Sequence, residues 1–219
     1  MLSHKTNSYI KALLAVFLGK FLTIIKLSFV VGSHAVMFSA SNLCLPLVGL
    51  FGHIGGATCM WACLLAVRLF SAPFTASALA FYVPGYAAAL YLATTSRILR
   101  CGIPLLAFFL FCIHPVGAQA MLYSCYWFIP MVIGAVCGRS LFAQMLGATF
   151  TAHAVGSVIW LYTVPMNAST WLALIPLVAL ERITFAMGMV VAYHAINRLT
   201  VWASLLISAF NRPSVILTR

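Results

Sequence analysis

Two adjacent residues stand out, Glu181 and Arg182, because they interrupt a run of 58 residues, Ser140 to Asn197, that carries no other charge. An ionised side chain in such a run costs several kcal/mol unless it is paired, so the default reading of Glu181-Arg182 is functional. Neighbours on a helix lie about 100° apart. The expectation is therefore that each needs its own partner on another helix, or a ligand. Helical phase sets Glu181 with Thr184, Gly188 and Ala192, and Arg182 with Phe185, Met189 and Tyr193. A buried polar clamp and a binding role, Arg182 facing a substrate carboxylate, both fit. Glu181 is the only acid in the chain and Asp is absent, so paired-carboxylate catalysis is excluded within one chain.

Histidine is the other chemistry-bearing type. His34, His53, His114, His153 and His194 lie in or near apolar runs. His53 and His153 are expected near mid-membrane. His153 shares a face with Thr149, Gly156 and Trp160, and the small neighbours leave room for a ligand on which Trp160 could stack. Neutral imidazole suits Zn, Cu, Ni or Fe. No H-x-x-x-H or H-E-x-x-H pair occurs, so no metal or cofactor is assigned. The expected binding residues are Glu181, Arg182, His153, Thr149, Trp160 and His53. G-x-S-x-G and P-loop signatures are absent, and an enzyme is not expected. Seven cysteines are scattered without C-x-x-C; they read as small apolar residues of helix packing.

The elements that carry these residues follow from composition. Of 219 residues, 64% are hydrophobic and 6% charged, too little polar surface for a protein surrounded by water. The chain is expected to be one all-α, polytopic integral membrane domain over 1–219. Twelve Lys and Arg give a formal charge of +11. They flank apolar runs and form no stripe interleaved with aromatics, so the pattern is that of cytoplasmic loops and excludes nucleic acid. Charge-free runs of 41, 28 and 38 residues follow Lys26, Arg68 and Arg100. They yield about six spans, roughly 18–38, 46–67, 101–117, 119–137, 141–163 and 171–196. A re-entrant segment at 74–96, turning at Pro84-Gly85, would keep Arg68, Arg97 and Arg100 on one side; seven plain spans is the other arrangement. Residues 1–20 read as a cytoplasmic amphipathic lead, 199–219 as a cytoplasmic basic tail, with 199–210 along the membrane surface. Small residues four apart, such as Gly52/Gly56, Gly134/Gly138 and Ala148/Ala152/Gly156, suit close helix contacts.

This plan resembles the substrate-binding S component of energy-coupling factor (ECF) transporters: a small basic membrane protein with six spans and both ends inside. Thr149-Phe150-Thr151-Ala152-His153 and Glu181-Arg182 look most like its binding site. Ala12/Ala15 departs from the alanine spacing such proteins use for docking. The resemblance implies capture of a small, vitamin-like micronutrient at a bacterial inner (plasma) membrane. It also implies a transmembrane coupling protein and two ATPase subunits as partners. Two other readings stay open: a proton- or metal-linked stand-alone transporter, and a haem-bearing or assembly anchor of a larger membrane complex.

Overall fold

The computed structural model describes residues 4–27, 38–71, 76–136 and 140–210. Residues 28–37 of the expected first span, with His34, and the tail 211–219 lie outside them. The described residues are helical apart from loops and one short antiparallel pairing, β1 (Lys26–Leu27) with β2 (Phe38–Ser39). Ten α-helices follow one another: α1 (His4–Phe21), α2 (Leu47–Ser71), α3 (Ala76–Ala93), α4 (Arg97–Ile113), α5 (Pro115–Gln119), α6 (Met121–Ser124), α7 (Phe128–Val136), α8 (Leu141–Thr163), α9 (Ala168–Ala173) and α10 (Ile175–Phe210). Among the described residues, four helical stretches are long and apolar enough to cross a membrane: Thr6–Ile24, Leu47–Ser71, Leu141–Thr163 and Ile175–Ala209. The fold is thus all-helical, and four helices of this length and composition suit a membrane protein.

Local chemistry explains several boundaries. The Ser140 hydroxyl accepts from the Ala143 N–H and caps α8, which covers the expected 141–163. Pro115 ends α4, because it holds the preceding residue, His114, in extended backbone. The His114 imidazole then accepts from the Val116 N–H and caps α5.

Four sequence expectations need correction. Residues 74–96 do not turn at Pro84-Gly85: α3 runs unbroken through Pro84 for 18 residues, about 27 Å. Proline removes one N–H and crowds one carbonyl, which bends a helix without reversing it. Arg68 therefore precedes the start of α3 and Arg97 follows its end. The first helix is not a lead to a span at 18–38. It begins at His4 and its helical run ends near Ile24, because a lysine such as Lys20 can lie on an apolar helix and reach for water with its stem. The expected 119–137 span is divided into α6, a 3₁₀ turn at Cys125–Trp127 and α7; the turn precedes Pro130, which cannot accept the ordinary α-helical crowding at residue 126. Residues 199–210 are not set off from the last span at 171–196. They continue α10, 36 residues long, since neither Gly nor Pro occurs between Gly188 and Pro213.

Close approach rather than bulk organises the packing. Tyr91 of α3 lies against Gly147 of α8, and a side-chain carbon there would strike the ring. Gly49 of α2 lies against the Ala89 backbone in the same way. Gly156 meets Pro84 at the other end of the α3–α8 contact, so α3 ends where α8 begins. Ala12 and Ala15 are buried in this core, with the Ala12 methyl facing Gly52; they pack α1 onto α2. A second, aromatic core gathers Phe111, Tyr123, Trp127 and Trp171, with ring centroids 5.0–5.7 Å apart where Phe111 and Trp171 meet their neighbours.

Candidate functional site

Glu181 and Arg182 are buried, at 5% and 7% exposure. They pair with each other, which the sequence expectation of a separate partner for each did not foresee. Arg182 Nη2 lies 2.7 Å from Glu181 Oε2. Adjacent positions diverge at Cβ, but both side chains are long enough to fold together beyond it. A pair formed this way cancels its charge where water is scarce. The Arg182 guanidinium also stands 5.1 Å from the ring centroid of Phe185, one turn along α10.

Helix α8 meets this pair from the other side. The Thr149 hydroxyl shares its proton between the Leu146 carbonyl at 2.9 Å and the Arg182 carbonyl at 3.4 Å. His153, one turn further, packs its ring on Tyr123 with centroids 5.4 Å apart. Tyr123 is hydrogen-bonded to Ser157 at 3.1 Å. The charge of Arg182 reaches both Tyr123 and His153. The structure thus brings Thr149, His153, Glu181 and Arg182 together and adds Tyr123 and Ser157. Glu181 Oε1 and His153 Nε2 are among the buried atoms of this cluster that have no hydrogen-bond partner among the described residues. Trp160 is not brought onto His153; it packs with the aromatic core around Phe111. The ring that His153 meets is Tyr123.

His53 lies elsewhere. It is exposed, not at the centre of a helix face, and α2 breaks there, with φ 54° and ψ −165°. That backbone region is essentially reserved for glycine and costs a histidine on the order of 1–3 kcal/mol. His53 borders a pocket of about 480 Å³ built by four helices: Ser8 and Lys11 of α1, Leu50, Phe51 and His53 of α2, Leu141 and Gln144 of α8, Tyr193 and Asn197 of α10. Phe51 and Tyr193 stack in its wall, 5.6 Å apart and 9° from parallel. Lys11 Nζ stands 6.0 Å from the Phe51 ring centroid. Asn197 Nδ2 donates to the Tyr193 carbonyl at 2.9 Å, which leaves Oδ1 as an acceptor. The pocket sits at the end of the bundle where α8 begins and α3 ends.

Arg100 carries a different lesson. Its place at the edge of a charge-free run marks it as a loop charge, yet it is 5% exposed. Its Nε donates to the carbonyls of Tyr91 at 3.2 Å and Thr94 at 2.7 Å, and its guanidinium lies 5.0 Å from the Tyr91 ring centroid. A cation on the last carbonyls of a helix satisfies them and opposes the dipole. Tyr91 in turn donates to the Pro130 carbonyl at 2.9 Å, so Arg100 closes a knot between α3, α4 and α7.

Among the described residues, no group of three or more His, Cys, Asp or Glu side chains converges to hold a metal ion. Compared with family models, with curated proteins and with solved structures, the chain matches none. Its function must be argued from its own residues.

Proposed function

We propose that the chain is a membrane transport protein that binds a small water-soluble, vitamin-like micronutrient for uptake. In this reading it works as the S component of an ECF transporter does, in a bacterial plasma membrane. A transmembrane coupling protein and ATPase subunits supply the energy. The observation that carries the reading is the pocket of about 480 Å³. Its size is that of a small-molecule site, and polar groups line it in a chain otherwise made of apolar helices. Strain at His53, on its rim, supports it, because strained backbone gathers at binding sites. The pocket lies at the end with Lys11 and Asn197, beside Arg198. The positive-inside rule turns that end to the cytoplasm, so the arrangement is one suited to solute release.

The test is to express the chain in cells that contain or lack an ECF module. Mass spectrometry of small molecules released by denaturing the purified protein supplies the solute to follow. The expected result is uptake of that solute only with the module present. Uptake that ignores the module and collapses with a protonophore would refute the S-component reading. It would favour a second one, a stand-alone proton-linked transporter. The observation behind that second reading is that Glu181 Oε1 and His153 Nε2 are buried with no hydrogen-bond partner among the described residues; both groups are of the type that carries protons through membrane domains.

A further inference from the structure

Taking the pocket between α1, α2, α8 and α10 as a solute site, as the transport reading does, we infer that its ligand is a small organic anion with an apolar body. The charge balance is the first ground. Among the described residues, Lys11 is the only Lys, Arg, Asp or Glu in the lining. Within the chain no acidic side chain is left to neutralise it. Glu181 is the sole acid, and it is buried and paired with Arg182. A cationic solute would meet an uncompensated ammonium, and a neutral one would gain little from it. An anion would receive a charge-assisted hydrogen bond, roughly twice as strong as a neutral one.

The second ground is the division of the lining into two kinds of surface. Ser8, His53, Gln144 and Asn197 bring a hydroxyl, an imidazole and two amides, groups that orient a polar head without adding charge. Leu50, Leu141 and the Phe51–Tyr193 stack supply an apolar wall. Lys11 Nζ stands above the Phe51 ring, so charge and apolar wall adjoin. A carboxylate held by Lys11 would lay its hydrocarbon or ring along that wall. The same chemistry occurs in a free organic acid and in the head and upper chain of an acidic phospholipid, and the experiment separates these sources.

The probes are benzoate, benzamide and benzylammonium, of one size and of charge −1, 0 and +1. They are titrated calorimetrically into the full chain in phosphatidylcholine nanodiscs. Benzoate is expected to bind at least about tenfold tighter than either of the others, since a hydrogen bond to a charged group contributes about 1.5–3 kcal/mol. Lys11→Gln is expected to shrink that preference to about twofold or less, and Lys11→Arg to keep it. Repeating the titration with phosphatidylglycerol in the nanodiscs decides the source: unchanged benzoate binding assigns the site to a free acid, and competition assigns it to the lipid. Benzylammonium binding as tightly as benzoate, no binding by any of the three, or a preference that survives Lys11→Gln would each overturn the inference. The order of the three probes on the parent protein decides the matter even if Lys11→Gln fails to fold. Module-dependent uptake of a cationic solute would sink this inference and spare the transport reading. Benzoate preference without any uptake would do the reverse.

Discussion

Removing Arg182 should unfold the protein before it tests a binding site. In Arg182→Ala the cation leaves a pair whose side chains are only 8% and 6% exposed. Glu181 remains with a buried carboxylate, and its Oε1 already has no hydrogen-bond partner among the described residues. Breaking such a pair from one side costs about 3–5 kcal/mol. Loss of the contact with Phe185 falls within that figure, at about 0.5–2 kcal/mol. Replacing both members by apolar residues of similar volume, Glu181→Leu with Arg182→Met, removes the charge and its desolvation together. The double variant should therefore lie within about 1 kcal/mol of the parent, or above it. In the cycle closed by Glu181→Leu, Arg182→Met and the double variant, the coupling energy should be at least about 2 kcal/mol, at the upper end of the range for contacting residues. The assay is unfolding in mixed micelles titrated with dodecyl sulfate, followed by far-UV circular dichroism. Arg182→Ala as stable as the parent, or single effects that merely add, would refute the view that each residue serves mainly as the other's counter-ion. A variant of undiminished stability that had lost solute binding would return Arg182 to the role of facing a substrate carboxylate.

Two further outcomes are expected. His53→Gly should stabilise the fold by roughly 1 kcal/mol, the relief of a glycine-only backbone less the entropy that glycine adds to the unfolded chain, while His53→Ala should not; a Gly variant less stable than the Ala variant would show that His53 is not strained. In a cysteine-free background, Ser71→Cys and Ser96→Cys flank the helix that runs unbroken from Ala76 to Ala93. An impermeant thiol reagent added outside should label one and spare the other, and equal labelling would restore the re-entrant arrangement.

The sequence by itself determined the solvent. With 64% hydrophobic residues and 6% charged, the chain must bury most of its surface in lipid or in itself, whatever its topology. It also determined the boundaries of α8, because Ser140 is an N-cap beside a long apolar run and the signal is local. The burial of Glu181 and Arg182, and the company of Thr149 and His153, were legible for a related reason: a charge in an apolar helix has to face protein, and the small residues of α8 mark a helix that can come close.

Only the tertiary structure decided what those residues do with one another. Rotation per residue suggests that Glu181 and Arg182 point apart, but the reach of both side chains joins them. Whether Pro84 turns a chain or only bends a helix depends on what packs beside it, here Gly156 and, further along α3, Tyr91 against Gly147. Arg100 reads as a loop charge until the end of α3 is seen to place two carbonyls beside it. The pocket was the least legible feature, since Lys11, His53, Gln144 and Asn197 come from four helices across most of the chain. No short-range pattern records their meeting. It is set by the glycine and alanine contacts that let those helices approach, and by a break at His53 that the residue's own preferences oppose.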